Sequence, residues 1–327
     1  MAHDPFENKV VMVVGGTGSW GQKFTDIVLR EYNPRQIRIF SRGELLQQEM
    51  RFRFKDNPKL SFIIGDVRDY EALYRAMYEV DILFYAAALK QIGACEVNPI
   101  EAVQTNIYGA TNVVTTTINS GVEKVIGISS DKACVPSTLY GATKMVMEKI
   151  IIQGNVFVGD RKTRLSCVRY GNVMGSRGSV VPIFQEQRKN GVLALTDNRM
   201  TRFWLTIAQA VHFSIQCMEI MQGGEVFVPI IPSMRVTDLA NAIAPEAEKK
   251  FIGIRPSEKL HEVLLTEEEA RHAKRHSTYF IIEPEMSFRA ADKWLDGMPL
   301  PDGFKYTSDS NTWWLSKEDL ERMAKEL

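Results

Sequence analysis

The sequence lacks most features that mark a specialised environment. Its four cysteines (Cys95, Cys134, Cys167, Cys217) form no CxxC pair and no metal-like spacing with the five histidines. That argues against a zinc centre and a disulfide scaffold. The cysteines read as small buried hydrophobes in a reducing compartment. Net charge is also missing, with 40 Lys and Arg against 40 Asp and Glu, so the basic excess of a nucleic-acid binder is absent. No run approaches the roughly 20 apolar residues of a membrane span. The opening MAHDPFENK has no apolar stretch of a signal segment. The expected setting is cytoplasmic, with neither membrane nor nucleic acid as partner.

What is present suits one large α/β fold. The chain has 327 residues, 45% of them apolar, enough for a substantial core without metals or disulfides. KVVMVV (9–14) is a β-branched run of the kind buried on both faces of a parallel sheet. IRIF (37–40), LSFIIG (60–65), DILFYAAA (81–88), VEKVIGISS (122–130) and RLSCVRYG (164–171) follow, separated by helical patterns. Strand and helix alternating in this way predict a doubly wound parallel Rossmann-type sheet. We expect this NADP-binding domain over 1–171. Residues 172–327 form a mainly substrate-binding α/β region with segments returning to the first domain. There, a loop is expected at 175–179, a short strand in EVFVPII (225–231) and a helix at 236–244 started near Thr237 or Asp238. SKEDLERMAKEL (316–327) reads as a terminal amphipathic helix, and Trp313 and Trp314 read as core packing.

GGTGSWG (15–21) stands directly after the first strand. Gly15, Gly18 and Gly21 give a variant dinucleotide fingerprint, allowing a tight turn, backbone approach to a pyrophosphate and close helix packing. Thr17, Ser19 and Trp20 share the loop, whose phosphate would sit at a helix N-terminus. The second strand ends in Ser41 and Arg42, where an NAD site places an acidic residue. A hydroxyl and a guanidinium suit a 2′-phosphate, so NADP is expected before NAD. Asp66 and Val67 are candidates for the adenine, with Asp66 or Asp69 as a helix cap the alternative. Ala86, Ala87 and Ala88 offer small side chains beside the cofactor. Lys90 and Asn106 are polar candidates there, and Lys90 is a candidate for the substrate as well.

Tyr140 and Lys144 form a YxxxK pair one helical turn apart. A nearby ammonium would lower the phenol's pKa and make Tyr140 a base. With Ser129 and Ser130 ending the preceding strand, this arrangement resembles the short-chain dehydrogenase/reductase superfamily. There the Ser/Thr and Tyr engage the reacting hydroxyl, and the Lys holds the nicotinamide ribose. Asp131 and Lys132 come next. An epimerase needs only hydride transfer, whereas a dehydratase also needs an acid and a base over the far end of the sugar.

A closer resemblance rests on GGTGSWG, FSRGEL, GDVRD, AAALKQ, NPIEAVQTNIYGA, SSDKA, LYGATK, RYGNVMGSRGSVVP, MTRFW, IPSM and GIRPSEKLHE, in this order. The chain is similar to inverting UDP-N-acetylglucosamine 4,6-dehydratases from its first strand to about Glu262. That resemblance implies UDP-N-acetylglucosamine as substrate, tightly bound NADP and a homo-oligomer. It assigns Asp131 as acid, Lys132 as the C5 base and Tyr140 as the C4-hydroxyl base. Asn172 would hold the substrate, Arg255 and Glu258 the UDP portion, and Arg199 and Met200 the same region. Retaining sugar dehydratases carry Asp-Glu where this chain has Asp131 and Lys132. The inverting family usually has Thr and Gly where this chain has Ser130 and Ser257.

The implied reaction is C4 oxidation, loss of water across C5–C6 and hydride return to C6, giving a 4-hexulose of L-arabino configuration. A 4-epimerase, a C5-retaining dehydratase and an NADP-sensing regulator are the rival readings. For Lys132 to act as a base it must lose its proton. Burial and Lys144 are expected to lower its pKa, with Asp131 opposing. His261 reads as structural.

Overall fold

The computed structural model describes residues 3–175, 179–255, 257–286, 288 and 296–325. Six parallel strands form as the apolar runs predict: β1 (Val10–Val14), β2 (Gln36–Ser41), β3 (Leu60–Ile64), β4 (Ile82–Tyr85), β5 (Lys124–Ile128) and β6 (Arg164–Val168). All five residues of β1 are buried. Helices cover both faces of the sheet, so no polar alternation is needed. The order is β3-β2-β1-β4-β5-β6, the doubly wound arrangement whose direction reverses between β1 and β4. In register, Val14 faces Phe40 on one side and Tyr85 on the other. The residues that follow these three strands therefore meet at one edge of the sheet, over the reversal point.

Beyond β6 the sheet continues into the second half of the chain. Val226–Pro229 pairs parallel with β6, and Tyr279–Ile282 pairs antiparallel with it in turn. Ala273–Arg275 and Met298–Pro299 complete ten strands. EVFVPII (225–231) thus supplies a strand of the main sheet. A second apolar cluster gathers Met174, Phe184, Leu193, Trp204, Leu239 and Leu320. It lies under the helices Val180–Arg188, Val236–Ile243 and Lys317–Lys325 and a small sheet of Asn172–Met174, Thr201–Thr206 and Ser233–Arg235. No described helix is long and apolar enough to cross a membrane.

Two local expectations need correction. The helix Val236–Ile243 has Arg235, not Thr237 or Asp238, at its N-cap, with no side-chain capping bond. Its first N–H instead donates to the Met200 carbonyl at 3.1 Å, so a neighbouring strand does the capping. Trp313 and Trp314 are half-exposed. The Trp314 indole is held by the Asn311 carbonyl at 2.7 Å with Arg235 over its ring. Of the loop expected at 175–179, residues 176–178 lie outside the described residues.

Candidate active site

The glycine loop sits at the end of β1. Gly15 has φ +87°, and a Cβ there would lie 2.6 Å from the Ala87 amide nitrogen. Only glycine allows β1 and the Ala86–Ala88 segment to close so tightly. Gly21 fills the same need inside the helix Ser19–Glu31, where a Cβ would lie 2.6 Å from Gly16 Cα. Gly18 caps that helix without any side-chain bond, which leaves its first N–H groups for an anion. Thr17 is buried beside them. The Trp20 ring stacks on Phe24 at 5.2 Å in the core, so only its backbone serves the loop.

At the end of β2, Ser41 accepts from Gln47 Nε2 at 3.0 Å, and Arg42 is exposed, 3.8 Å from Asp66. Burial pushes the Asp66 carboxyl up, but hydrogen bonds from Arg68 and the Arg42 charge hold it below its ordinary value. Asp69, not Asp66, caps the next helix by accepting from Ala72 N at 3.0 Å, which leaves Asp66 at the edge of the site beside buried Val67. Asn106 is fully buried. It bonds both backbone groups of Leu89, at 2.8 and 2.9 Å, and Thr143 at 2.9 Å. With its bonds engaged in this way, it clamps the segment after β4 to the Tyr140 helix. It lies in a π-helical turn, Gln104–Tyr108, a distortion frequent at functional sites.

The end of β5 delivers the candidate reactive groups. Ser129 Oγ is buried without a hydrogen-bond partner. Ser130 donates to Asp131 Oδ1 at 2.8 Å and caps the turn Asp131–Ala133. Thr138 then caps the helix Leu139–Gln153. Gly141 presses that helix onto the 131–133 turn, since a Cβ there would meet the Lys132 carbonyl and Pro136. This packing sets Tyr140 beside Lys132. Burial pushes the Tyr140 phenol up to about 12, and the cation pulling it down is Lys132. The ammonium that acts most on Tyr140 is thus Lys132 rather than the expected Lys144. Burial drops Lys144 to about 8, with its Nζ donating to the Ile128 carbonyl at 2.6 Å.

Lys132 also departs from expectation. Its Nζ lies 3.1 Å from Asp131 Oδ1 and 3.0 Å from Glu262 Oε1. Burial lowers its pKa, but the two carboxylates win and hold it above its ordinary value. The two carboxylates therefore favour the ammonium form of Lys132. Local sequence reasoning missed Glu262, which arrives from far along the chain.

A cavity of about 710 Å³, lined from both halves of the chain, takes in Lys132 and Glu262. Lys90, Lys132, Asn172, Met200, Arg255 and Glu258 line it as expected. Burial lowers the Lys90 ammonium. Arg255 and Glu258 form a two-bond pair at 3.0 and 2.9 Å. Arg199 does not reach the cavity lining; it is exposed and bound twice to Asp197, at 2.9 and 2.8 Å. Arg202, three residues on, lines the cavity instead. Among the residues that line it, Asn172 Oδ1, Ser179 Oγ, Trp204 Nε1 and Glu262 Oε2 are buried atoms without a hydrogen bond. Buried polar atoms are almost always satisfied, so this cluster marks a place for a polar ligand. His261 bonds Thr201 at 2.8 Å, as a structural residue would. All four cysteines are free and buried.

A Rossmann sheet with its glycine loop and a Ser-Tyr-Lys group, beside a cavity lined from both halves of the chain, defines a short-chain dehydrogenase/reductase-type protein. More narrowly, the chain belongs to the polysaccharide biosynthesis protein family, whose model matches residues 11–284. It is 44% identical over 324 residues to a UDP-N-acetylglucosamine 4,6-dehydratase (inverting) of Campylobacter jejuni, covering 96% of this chain and 97% of that one. It is also 41% identical over 285 residues to a UDP-glucose 4-epimerase of Rickettsia conorii, covering 85% and 83%. Among solved structures it resembles Pen from Bacillus thuringiensis, with a TM-score of 0.89, 36% identity and coverage of 98% and 99%.

Proposed function

We propose that this chain is an inverting UDP-N-acetylglucosamine 4,6-dehydratase that works with bound NADP. The observation that carries the reading is Lys132, which lines the cavity, set beside both Asp131 and Tyr140. Hydride transfer alone needs no such acid–base pair.

The residues fit a dinucleotide. The Gly15 cradle, the uncapped helix at Gly18 and the partnerless Ser129 hydroxyl all leave room and polar capacity. Gly15, Thr17, Gly18, Ser19 and Gly21 would hold the pyrophosphate, and Asp66 and Val67 the adenine. Half-buried Ser41 and exposed Arg42 support a 2′-phosphate and hence NADP over NAD. Ala86, Ala87 and Ala88 leave space beside the nicotinamide half, and Lys144 is placed for its ribose. When bound, the nicotinamide supplies the hydride acceptor for C4 and the donor for C6.

The protein's own residues handle the protons. Tyr140 takes the proton of the C4 hydroxyl, aided by Lys132. The C4 carbonyl then acidifies C5–H, so that Lys132, once neutral, can remove it. Asp131 gives a proton to the departing C6 hydroxyl. Asn172, Arg255, Glu258 and Met200 orient the nucleotide sugar, with Lys90 at the cavity mouth.

The test is NMR of UDP-N-acetylglucosamine incubated with the purified protein in deuterated water. The expected product is a 4-keto-6-deoxy sugar inverted at C5 and carrying deuterium there, with no net NADPH formed and NADP(H) released on denaturation. A C4 epimer with water retained would establish the epimerase reading instead. A product with C5 retained would remove the role given to Lys132.

A further inference from the structure

Lys132 lies between two carboxylates, and only one of them is its neighbour in sequence. Glu262 is 2% exposed. Its Oε1 is 3.0 Å from Lys132 Nζ and 3.6 Å from Arg202 Nε. Its Oε2 has no hydrogen bond, and the residue lines the same cavity. The nearest cation to Oε2 is Lys259, at 4.0 Å. The backbone is fixed independently of this pair. Glu262 N donates to Ser308 Oγ at 2.9 Å, and its carbonyl accepts from Ser308 N at 2.8 Å. The side chain is therefore delivered to Lys132 by the pairing of Val263–Leu265 with Tyr306–Thr307. A buried carboxylate with one oxygen on a lysine and the other idle is expensive to maintain, and such groups concentrate at functional sites.

We propose that Glu262 is the positioning residue that sets the proton state of Lys132, taking the ammonium proton so that the amine can act at C5. This rests on the dehydratase reading above. The proton crosses from Nζ to Glu262 Oε1. The N–H bond breaks, its electron pair stays on nitrogen, and an O–H bond forms, so an ion pair becomes a neutral pair without change in net charge. The amine then takes the C5 proton while the C5–H electrons move toward the C4 carbonyl. Lys132 then passes that proton to the Asp131 carboxylate, and Asp131 gives it to the C6 hydroxyl, which leaves as water. Glu262 finally returns its proton to Lys132, restoring the starting line of carboxylate, ammonium and carboxylate. The proton removed at C5 is thus recycled into the acid that acts at C6.

The charged and titratable groups facing Lys132 are Asp131, Glu262, Arg202 and Tyr140. Lys259 and Glu258 lie one contact further out. Of these, Glu262 is the carboxylate whose second oxygen accepts no hydrogen bond.

The test compares Glu262→Gln and Glu262→Asp with wild type, all as purified holoenzyme. NMR of isotope-labelled lysine, with the Lys132 signal assigned through its loss in Lys132→Arg, follows the ammonium directly. In Glu262→Gln, Lys132 should lose its proton at least about one pH unit lower than in wild type. Dehydration kcat should fall about 100-fold or more, with KM within about threefold and C4 oxidation still visible as reduced nicotinamide in a single turnover. Glu262→Asp should restore at least about tenfold of the lost rate. An unmoved Lys132 titration or near-normal kcat overturns the proposal. So does an equal loss of substrate binding and C4 oxidation that Asp does not rescue, which is the pattern of a merely structural residue. If wild type itself does not dehydrate the sugar, the enzyme reading fails, while the NMR comparison still decides whether Glu262 governs Lys132.

Discussion

Burial holds the Lys144 ammonium down to about 8, against an ordinary 10.5. Between those two values the unfolded chain carries the proton and the folded one does not, so this group makes stability rise with pH across that window. Below about pH 8 the full cost is present, about 3 kcal/mol by the size of the shift. Lys144→Met should remove it, while leaving the Ile128 carbonyl without its donor, which costs about 1 kcal/mol. The variant should be more stable by about 2 kcal/mol at pH 7, with the gain fading toward pH 10, and inactive. Denaturant unfolding of cofactor-free protein at both pH values checks this, and a destabilised variant at pH 7 would refute it. Such an exchange of stability for activity is common where a group is held in a hostile environment for function. Residues close in sequence were legible in the same way. Tyr140 and Lys144 on one helix turn, and Asp131 beside Lys132, needed only local spacing. Glu262 carries no local signal, because its meeting with Lys132 depends on strand pairing with residues past 305. The sign of the Lys132 shift was unreadable for that reason. Arg199 and Arg202 are two cations three positions apart. Only the fold decides that the first finds Asp197 at the surface and the second the cavity.

Elements carry the site through a buried charge cluster that sequence does not reveal. Arg169, just past β6, bonds Glu148 on the Tyr140 helix at 3.0 and 2.7 Å. It also bonds Glu269 at 3.0 and 2.8 Å and the Leu264 carbonyl at 3.1 Å. Glu269 belongs to the capping box of the helix Glu267–Ala270, which follows directly on Val263–Leu265 and thus on Glu262. One guanidinium therefore ties the sheet, the Tyr140 helix and the segment that delivers Glu262. Removing one partner from such a cluster leaves buried charges uncompensated and typically costs about 3–5 kcal/mol. Arg169→Leu should lose stability on that scale and lower kcat even where it folds. Arg169→Leu combined with Glu148→Leu and Glu269→Leu should regain much of the stability without the activity. Thermal unfolding and turnover of the two variants separate the contributions. Equal stability of the single and triple variants would mean that the cluster is not coupled. The alternation of strands and helices was readable because β1 to β6 each present a run of apolar residues. The pairing of Arg169 with two glutamates was not, since each of the three looks like an ordinary charged residue in its own segment.

At the scale of the molecule, the question is whether the cofactor half stands alone. We propose that it does not, although residues 1–171 hold the glycine loop, Asp131, Lys132, Tyr140 and Lys144. The sheet does not end at β6. Val226–Pro229 continues it in parallel, and Tyr279–Ile282 follows. Leu165, Cys167 and Val168 of β6 and Phe227 and Val228 beyond it are all fully buried. Burial of such side chains contributes about 1.5–3 kcal/mol each. Losing that cover exposes several of them, a cost on the order of 10 kcal/mol, comparable to the entire stability of a typical domain, about 5–15 kcal/mol. The bare β6 would also present an unpaired apolar edge, the configuration most prone to pair with another chain. A 1–171 fragment is thus expected to be insoluble or to elute as aggregate, whereas removing only 316–327 should leave the main sheet folded. That shorter deletion takes Leu320 out of the second cluster, where it is fully buried, beside Trp204 and the cavity. It should weaken nucleotide-sugar binding while dinucleotide binding persists. Size-exclusion chromatography, circular dichroism and separate titrations with NADP and UDP-N-acetylglucosamine distinguish these outcomes. A soluble, monomeric 1–171 fragment that binds NADP would show that the four strands contributed by the second half are an accessory to the cofactor fold rather than part of it.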